Sequence, residues 1–545
     1  MKGVDIIAKV LKSEGVEYLT CFPHSEIIDS CAAVGIRPIL ARQERTALHI
    51  ADGYSRMNDG RKIGVTTVQY GPGAENAFGA VAQTQADASP VLYLPTGYPR
   101  DERSVVPNFD ASLNLKHITK SAETVMSVGR IPQMMQNAFA QLRNGKPGVV
   151  MMETPKDVLA EDLADGDYNY ASPRRSAAQP DPQDMAELLD SLLAARNPVI
   201  VAGQGVFYAQ ACDELKELAA LLQVPVMTTL NAKSAFPENH ALALGTGALS
   251  RPATVTHFLA KADLVLGIGT SFTRSDYITA IPDGKTMAQI TNCEADIGKD
   301  YPVSFGVVGD AKVALSQLIA GAKERLGEGG RSGDDGVARE VKAVRDEFMA
   351  KWMPRLTATD EPISPYRVIW DLMSVVDRTK TVVTHDAGNP RDQTTLFYEA
   401  IVPHGYMGWG KTTQLGAGLG LAMGAKLARP DWLSVNIMGD AAFGMTGMEV
   451  ETAVRCALPV LTIVFKNSVM GGYTGHLPVA SDKYDIHRLS GNYAKVGEAL
   501  GAYGETVEKV DDLKAALSRG VDHVAKGQTA VIEVITGEEP NYPTS

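Results

Sequence analysis

The chain has 545 residues, of which 45% are hydrophobic and 21% charged, the composition of an ordinary globular protein long enough for several domains. Its net charge of −12, without any basic cluster, argues against nucleic-acid binding. No apolar run reaches the length of a membrane span, and the N-terminal segment has the pattern of an amphipathic helix rather than of a signal peptide. The five cysteines show no CxxC spacing, so we expect a reduced, cytoplasmic protein without a membrane partner.

Strand-like and helix-like segments alternate along the chain, which predicts parallel sheets covered by helices. Two polar stretches interrupt the alternation, one around residues 160–183 and one around 322–362, the second of which includes a charged helical segment from Val337 to Met353. Both have the composition of connectors. We therefore predict the α/β fold class, with three doubly wound parallel-sheet domains at residues 1–165, 184–322 and 360–545.

Two predicted strand ends in the first domain carry candidate functional residues. Ile36–Ala41 has the pattern of a strand that ends in Arg42–Arg45, so Glu44 lies at the strand's end, just before a helix predicted to begin at Thr46. Lys62–Gln69 has the pattern of the next strand, and Tyr70 and the GPG turn Gly71–Gly73 follow it. The glycines allow the backbone to approach a ligand closely before the next helix opens. A glutamate at a helix start is also often no more than a favourable charge on the helix dipole.

The middle domain is predicted to begin with the strand Pro198–Val201 and the turn Gly203–Gly205. The turn is placed as a phosphate-binding turn would be, but it lacks the third glycine of a dinucleotide-binding fingerprint. It supports the alternative function, which is a flavin- or nucleotide-binding oxidoreductase or a non-catalytic module on the same sheets.

In the third domain, a strand–helix–strand pattern carries the most informative polar residues. Leu433–Met438 has the pattern of a buried strand that ends in Gly439 and Asp440, and Val460–Phe465 has that of a second strand that ends at Asn467. A parallel crossover unit places Asp440 and Asn467 at the same sheet edge, where open parallel sheets bind ligands. A carboxylate and an amide oxygen there suit Mg²⁺. A simple helix cap and a turn explain the same residue types.

The predicted crossover helix between these strands has apolar residues at helical spacing. They are Met445, Met448, Val450 and Val454.

Together these motifs resemble the thiamine-diphosphate-dependent enzymes of the acetolactate synthase and pyruvate decarboxylase superfamily, and the acetolactate synthase large subunits in particular. The likeness covers nearly the whole chain and keeps the order of the family's motifs. Its segments are RQERTALHIADGYSR, QYGPGAENAFGAV, GKPGVVMMETPKDV, NPVIVAGQGV, AFPENHALALGTG, VVGDAK and TTQLGAGLGLAMGAKLA. The resemblance implies a first domain that binds the pyrimidine ring of the cofactor, a middle domain, and a third domain that binds the diphosphate.

The resemblance assigns a role to each candidate residue. Glu44 would hydrogen-bond the aminopyrimidine ring and promote its imino tautomer, a task for a buried carboxyl with a tuned pKa. Asp440, Asn467 and the backbone carbonyl of Val469 would bind Mg²⁺, and Leu415 would hold the cofactor in its bent shape. The other implied cofactor contacts are Gly73, Gly388, Asn389, Gln414, Gly439, Ala441, Ala442, Met470 and Gly471.

The side chains predicted to face the reacting carbon are Tyr70, His24, His117, Asn389 and Gln414. Tyr70 and His117 join Glu44 as the candidate catalytic residues, and His117 stands near the place of the paired histidines of pyruvate decarboxylases. For each of these side chains, a structural hydrogen bond is the alternative role.

The sequence departs from the family at five places, one of which is that Asn467 stands alone between Lys466 and Ser468 where the metal motif has a doubled asparagine. Ala441 replaces the second glycine of the metal motif, which is tolerable if its φ is negative. The Phe-Gln-Glu of the synthases is replaced by Phe109–Ala111, their flavin-contacting Arg-Phe-Asp-Asp-Arg appears only as Thr270–Arg274, and their tryptophan-bearing lid is not evident in Gly472–His476. These departures argue against tightly bound FAD and leave the substrate open.

The predicted function is thiamine-diphosphate- and Mg²⁺-dependent cleavage or formation of a C–C bond next to a carbonyl, by a lyase or transferase. The expected substrates are a small 2-oxo acid or an aldehyde, used in decarboxylation, carboligation or both. In the family, one subunit supplies the pyrimidine side of the site and its partner the diphosphate side. The resemblance therefore implies that Glu44 and Asp440 meet only across a homodimer interface, and a homotetramer is expected.

Overall fold

The computed structural model of the protein describes residues 1–164, 168–331, 333, 335–471, 473 and 475–539. Across these residues the strands form three six-stranded sheets in which every strand pair is parallel, and helices flank each sheet. The predicted α/β class with three doubly wound sheets is therefore confirmed. The predicted domain limits stay predictions, and the limits at residues 165 and 545 lie outside the described residues. Gly472 and Thr474, in the segment that was compared with the family's lid, also lie outside them.

The strands, in chain order, are β1 (Tyr18–Cys21), β2 (Arg37–Leu40), β3 (Gly64–Val68), β4 (Val91–Gly97), β5 (Ser121–Thr124), β6 (Val149–Pro155), β7 (Pro198–Ala202), β8 (Val226–Thr229), β9 (Ala243–Gly247), β10 (Leu264–Ile268), β11 (Thr286–Thr291), β12 (Phe305–Val308), β13 (Thr381–His385), β14 (Tyr406–Met407), β15 (Leu433–Gly439), β16 (Leu461–Lys466), β17 (Tyr503–Val507) and β18 (Ala530–Ile535).

The α-helices, in chain order, are α1 (Gly3–Ser13), α2 (Ile27–Ala33), α3 (Glu44–Met57), α4 (Pro72–Ala86), α5 (Ala111–Leu115), α6 (Ile131–Arg143), α7 (Lys156–Ala160), α8 (Pro182–Ala194), α9 (Gly205–Tyr208), α10 (Cys212–Leu222), α11 (Ala253–Lys261), α12 (Ala311–Leu326), α13 (Gly336–Leu356), α14 (Pro365–Val375), α15 (Asn389–Phe397), α16 (Gly418–Ala428), α17 (Asp440–Thr446), α18 (Val450–Arg455), α19 (Pro478–Tyr484), α20 (Tyr493–Ala499) and α21 (Val510–Ala525).

The first and third sheets have the same topology. Their strand orders are β2-β1-β3-β4-β6-β5 and β14-β13-β15-β16-β18-β17, so the chain reverses its winding direction between β1 and β3 and again between β13 and β15. The middle sheet, β12-β11-β10-β7-β8-β9, has the order of dinucleotide-binding domains, with its reversal between β7 and β10. Ligands bind open parallel sheets at such reversals, beyond the carboxyl ends of the strands. We refer to the three places as the first, middle and third crevice.

Helices α3 and α16 join the first domain to the third by close backbone packing. A Cβ atom on Gly53 would lie 2.3 Å from the carbonyl oxygen of Leu421, and one on Gly424 would lie 2.2 Å from that of Ile50. Because a side chain at either glycine would collide with the facing backbone, these helices need glycine at their crossing. The crossing fixes the start of α3, where Glu44 lies, relative to the third sheet.

A buried ionic network strengthens the same junction. Arg56 pairs with Asp52 at 2.7 Å and with Asp87 at 3.2 Å, and the three side chains are buried. Asp87 also accepts hydrogen bonds from the backbone N–H groups of Gly410 (3.0 Å) and Lys411 (3.1 Å) in the third domain. Removing one partner from such a network leaves an uncompensated buried charge, so the network ties the two domains together.

The predicted strands around Asp440 and Asn467 are present as β15 and β16, and they pair in parallel. The predicted single helix between them is wrong: the segment forms α17, a 3₁₀ turn at Gly447–Glu449, and α18. Met445 and Met448 are 54% and 51% exposed, so their apolar character does not mark a face that this chain buries. Helix α4 also begins at Pro72, five residues before the predicted start, because proline is favoured in the first turn of a helix.

None of the helices in the described part of the chain has both the length and the apolar character that crossing a bilayer requires.

Candidate functional site

The third crevice gathers polar residues from three neighbouring strand ends. Gly388 and Asn389 follow β13, Asp440 follows β15, and Asn467 follows β16. The strands lie side by side in the order β13, β15, β16, so the residues beyond their carboxyl ends share one edge of the sheet. This is the place where the sequence predicts the diphosphate and metal site.

Asp440 is the buried carboxylate of the third crevice. Its Oδ2 accepts the backbone N–H of Ser468 at 2.8 Å, and its Oδ1 accepts the N–H of Ala441 at 2.8 Å. Burial raises the pKa of the Asp440 carboxyl, and these backbone hydrogen bonds oppose the shift. Ala441 is the second residue of α17 and does not have a positive φ, so it needs no glycine there. Gly439 ends β15, and Ala442 is buried in α17.

The loop after β16 is held by backbone contacts with a later segment. Asn467 Oδ1 accepts the N–H of Val469 at 3.1 Å. Val469 forms an isolated antiparallel bridge with Arg488, and the N–H of Met470 donates to the carbonyl oxygen of His487 at 2.7 Å. The predicted metal ligands Asn467 and Val469 are therefore fixed relative to each other within one chain.

Gly471 lies where two amide side chains converge. A Cβ atom on Gly471 would lie 2.9 Å from Asn389 Nδ2 and 3.6 Å from Asn467 Nδ2. Any side chain at this position would therefore displace Asn389 or occupy the space beside it. On the β13 side, Gly388 has a φ of +82°, a left-handed conformation that favours glycine.

The donors of the third crevice fit Mg²⁺ better than they fit a metal held by protein alone. Among the described residues, no group of three or more His, Cys, Asp or Glu side chains could hold a metal ion. The predicted set is the carboxylate of Asp440, the amide oxygen of Asn467 and the carbonyl oxygen of Val469. Mg²⁺ prefers such hard oxygens and takes its remaining ligands from phosphates and water, so this set fits an ion that arrives with a diphosphate.

In the first domain, Glu44 is the buried first residue of α3. Its Oε2 accepts a hydrogen bond from Asn76 Nδ2 at 3.3 Å. The N–H of Arg42, two residues before Glu44, donates to the carboxylate of Glu449 at 3.1 and 3.2 Å. The start of α3 is therefore hydrogen-bonded to the third domain of its own chain. Within the described part of one chain, no hydrogen bond joins Glu44 to Asp440.

The other side chains predicted to face the reacting carbon from the first domain are Tyr70, His24 and His117. The ring of Tyr70 packs edge-on against Tyr98, with centroids 4.7 Å apart, and Lys156 Nζ lies 3.7 Å from the centroid of the Tyr70 ring. His24 follows β1, and its N–H donates to Gln69 Oε1 at 3.3 Å, so His24 and Tyr70 both lie at the first crevice. The side chains of His24 and of His117, which is on a 3₁₀ turn after α5, are exposed.

The turn with Gln414 and Leu415 lies against the first domain. Burial lowers the pKa of His49 to about 4, so the ring is neutral and its Nε2 donates to Gln414 Oε1 at 3.0 Å. The N–H of Gln414 donates to Gln83 Oε1 at 3.1 Å, and Arg45 Nη2 donates to the carbonyl oxygen of Leu415. In one chain the side chain of Gln414 thus makes an interdomain contact, while that of Leu415 is half-buried.

Gly73, the remaining predicted cofactor residue, is buried in the first turn of α4. A Cβ atom there would lie 2.9 Å from Gln69 Cγ, so the turn after β3 is closely packed.

The glycine turn of the middle crevice is not free to bind phosphate. Cβ atoms on Gly203 and Gly205 would lie 2.3 Å and 2.7 Å from backbone atoms of Gly269. The N–H of Gly203 donates to Ile268, and that of Gly205 donates to Gly269. These glycines therefore allow two turns to pack together, and their N–H groups are already used. This geometry argues against a flavin- or nucleotide-binding function in which the turn Gly203–Gly205 binds phosphate.

Sequence reasoning missed three residues that shape the site. Ser468 donates to Asp440, Glu449 accepts the N–H of Arg42, and Asp386 accepts the N–H groups of Gly416 and Gly418. Only Asp386 carries a local signal, since an acidic residue directly after β13 repeats the arrangement of Asp440 after β15.

Two outer domains of equal topology, one with an oxygen-rich crevice and the other with a buried glutamate, form the arrangement expected of an α/β protein that binds a phosphorylated cofactor. Comparison with known families gives three matches in the same order. They are the N-terminal TPP binding domain of the thiamine pyrophosphate enzymes over residues 1–123, their central domain over residues 185–318, and their C-terminal TPP binding domain over residues 386–534. The chain belongs to the thiamine pyrophosphate enzyme family.

Similar proteins extend the likeness over nearly the whole chain. A probable acetolactate synthase large subunit of Methanococcus aeolicus is 28% identical, over 96% of this chain and 90% of the relative. The acetolactate synthase isozyme 3 large subunit of Escherichia coli is 26% identical, over 100% of this chain and 96% of the relative. An acetolactate synthase of Mycobacterium bovis is 27% identical, over 99% and 88%.

Proposed function

We propose that the protein is a thiamine-diphosphate- and Mg²⁺-dependent enzyme that cleaves or forms a C–C bond next to a carbonyl, in the manner of the acetolactate synthases that it resembles. The observation that carries the proposal is the convergence of Asp440, Asn467 and Gly471 in the third crevice. When bound, thiamine diphosphate supplies the carbanion-stabilising thiazolium that such reactions require. The substrate class is a small 2-oxo acid or an aldehyde, used in decarboxylation, carboligation or both.

Asp440, Asn467 and the Val469 carbonyl are the proposed Mg²⁺ ligands. The burial of Asp440 supports this role, because a bound cation would offset the cost of keeping its charge out of water. The residues proposed to lie along the diphosphate are Gly388, Asn389, Gly439, Ala441, Ala442, Met470 and Gly471. The left-handed backbone of Gly388 supports its proposed contact with the diphosphate. The space that Gly471 leaves beside Asn389 supports the same role for Gly471.

Glu44 is the proposed acid–base residue of the first crevice, and its burial beside Asn76 supports a carboxyl that holds a proton at a ring nitrogen. Tyr70 and His117 remain proposed catalytic residues, and Gln414 and Leu415 proposed cofactor contacts.

Replacing Glu44 by Ala tests the acid–base role. We expect slower proton exchange at the reactive thiazolium carbon, with cofactor binding nearly unchanged. The exposed neighbour Glu75, replaced by Ala, is the matched control and should behave as wild type. An exchange rate in Glu44→Ala equal to that of wild type would remove Glu44 from this role.

The active species is proposed to be at least a homodimer, and a homotetramer is the expected assembly. Exposed apolar side chains beside each half-site support a partner surface: Met445 and Met448 follow Asp440, and Phe78, 41% exposed, follows the GPG turn. In the proposed dimer, Glu44 of one protomer faces Asp440 of the partner subunit.

We further propose that the enzyme works without tightly bound FAD. The occupied N–H groups of Gly203 and Gly205 support this, because they are not available to a diphosphate. The proposal predicts a colourless purified protein.

Two measurements test the proposed function. The melting temperature should rise only when thiamine diphosphate and Mg²⁺ are added together, because each binds the native state in the presence of the other. The loaded protein, incubated with a panel of 2-oxo acids and aldehydes, should then yield decarboxylation or carboligation products by mass spectrometry. A yellow protein that is indifferent to thiamine diphosphate would instead support the flavin- or nucleotide-binding alternative.

A further inference from the structure

The turn that precedes α16 is held by charged side chains from two domains. Asp386 Oδ1 accepts the N–H of Gly416 at 2.8 Å, and its Oδ2 accepts the N–H of Gly418 at 2.9 Å. Just before the first of these glycines, the carbonyl oxygen of Leu415 accepts a hydrogen bond from Arg45 Nη2. The backbone of residues 415–418, called the Leu415 turn below, is thus bound at three successive points.

Neither charge is neutralised by a direct partner. In the described part of the chain, no ion pair within 4.0 Å includes Asp386 or Arg45, although Asp386 is buried and Arg45 is half-buried. Burial raises the pKa of Asp386 to about 6 and lowers that of Arg45, and the attraction between the two charges opposes both shifts. Each charge is instead compensated by hydrogen bonds to the backbone, so an apolar residue at either position would leave backbone groups of the turn without a partner.

The Leu415 turn also has little room to move. Gly416 has a φ of +90°, and a Cβ atom on it would lie 2.8 Å from Thr446 Cγ2 and 3.3 Å from Arg45 Nη2. A Cβ atom on Gly418 would lie 2.5 Å from the carbonyl oxygen of His385 and 3.1 Å from Asp386 Oδ2. The two glycines let the charged groups approach the backbone itself, which a turn with side chains would not allow.

The positions of the two charged residues connect the Leu415 turn to both half-sites of one chain, which belong to different sites in the proposed dimer. Asp386 lies two residues before Gly388, in the turn that is proposed to contact the diphosphate, and its Oδ1 also accepts the N–H of Ala387 at 2.8 Å. Arg45 follows Glu44 directly in α3. A shift of the Leu415 turn would therefore displace Asp386, next to the proposed diphosphate contact Gly388, and Arg45 at the start of α3.

We propose that Asp386 and Arg45 are positioning residues that clamp the Leu415 turn and so fix the placement of the bound cofactor's rings. The inference rests on the proposed function, because it assigns the turn a task in holding that cofactor. Neither residue touches the reacting atoms in this proposal, and both act through the backbone of the Leu415 turn.

The test compares Asp386→Asn with Asp392→Asn. The asparagine keeps the shape of Asp386, but its NH₂ group must face a backbone N–H that the carboxylate accepted. Asp392 is the matched control, since it is also a buried carboxylate of the third domain, but its side chain is paired with Arg391 rather than with the Leu415 turn. Amide hydrogen exchange is measured by mass spectrometry on the peptide that covers residues 410–420, in protein without cofactor.

We expect faster exchange in this peptide for Asp386→Asn and unchanged exchange for Asp392→Asn. In the loaded enzyme, we expect kcat of Asp386→Asn to fall by about 100-fold, the effect of a misplacement near 1 Å, while the dissociation constant for thiamine diphosphate stays near the wild-type value. A residue with only a structural role would not separate kcat from cofactor affinity in this way.

Arg45→Met provides a second test if Asp386→Asn does not fold, because it removes the clamp from the first-domain side. It should reproduce the loss of kcat without a loss of cofactor affinity. Wild-type kcat and wild-type hydrogen exchange in the variants that fold would overturn the proposal. Failure of the proposed function is distinguishable, since wild-type protein would then show no rise in melting temperature with thiamine diphosphate and Mg²⁺, while the exchange comparison on unloaded protein would still be informative.

Discussion

The first and third sheets share one strand order, yet their crevices are organised differently. In the third, one chain brings Asn389, Asp440 and Asn467 together at the ends of adjacent strands. In the first, Glu44 lies at the start of α3, which is hydrogen-bonded to Glu449 of the same chain through the N–H of Arg42. In the described residues, Glu44 bonds Asn76 and makes no hydrogen bond to Asp440. One topology therefore supplies two unlike half-sites, and we propose that each is completed by the other kind of half-site from a second copy.

Removing the carboxylate of the third crevice should have the largest effect. Asp440→Ala is expected to weaken Mg²⁺-dependent binding of thiamine diphosphate by more than about 100-fold, since even residues behind a metal's direct ligands contribute 10- to 100-fold. Titration calorimetry measures the loss. Asp431→Ala, an exposed carboxylate just before β15, is the control and should bind normally. Unchanged affinity in Asp440→Ala would place the metal elsewhere.

Blocking the partner surface should have the next largest effect. The double variant Met445→Asp and Met448→Asp places charges where we expect a dimer interface, and buried unpaired charges there would oppose assembly. Light scattering after size exclusion should show monomers, and activity should be lost in proportion. Leu326→Asp, on an exposed apolar residue of α12, serves as the control and should leave the assembly intact. A fully assembled and active double variant would contradict the proposed interface.

A smaller change should come from filling the space beside Asn389. Gly471→Ala places a methyl 2.9 Å from Asn389 Nδ2, and the amide must rotate away. We expect cofactor affinity to fall about fivefold, which corresponds to the roughly 1 kcal/mol of one hydrogen bond. In Gly475→Ala the added methyl meets nothing within 4 Å, so its affinity should match that of wild type. Equal affinity in both variants would remove Asn389 from the diphosphate site.

The smallest expected effect is a loss of folding stability at acidic pH, caused by two buried histidines, which disappears at neutral pH. Burial lowers the pKa of His49 to about 4 and that of His385 to about 3, so the folded protein keeps both rings neutral. Because these values lie below the unfolded value near 6.5, stability is full above about pH 6.5 and falls as the pH drops toward the folded values. At about pH 5 each ring should cost about 2 kcal/mol of unfolding free energy.

Urea unfolding at about pH 7.5 and about pH 5 measures this decrease. His49→Gln removes the titrating group of the first domain and keeps a donor for Gln414, so it should lose about half of the decrease that the two histidines cause. An identical pH dependence in the variant and the wild type would show that His49 is not held neutral.

The strands were predictable because strands buried on both faces are continuous apolar runs, and β15 and β16 begin and end within one residue of the predicted limits. The crossover helix was not, because Met445 and Met448 have helical spacing but face solvent in one chain. Apolar spacing indicates that a face is covered; it does not identify the chain that covers it.

The residues of the third crevice were predictable from their places after strands, since parallel strands bring their carboxyl ends to one edge. Asp386 and Arg45 were not, because their bonds to the Leu415 turn join residues about 30 and 370 positions apart. The bond of Arg45 follows from the packing of α3 on α16, and the bonds of Asp386 follow from the packing of α16 against β13.

If each site is built from two copies of the chain, as we propose, mixing two inactive variants should restore activity. Glu44→Ala and Asp440→Ala chains are dissociated together and reassembled. Half of the dimers are then mixed, and each mixed dimer has one intact site of two, so we expect about a quarter of the wild-type activity. If each site were complete within one chain, every site in the mixture would carry one of the two changes, and the mixture would be as inactive as its parents.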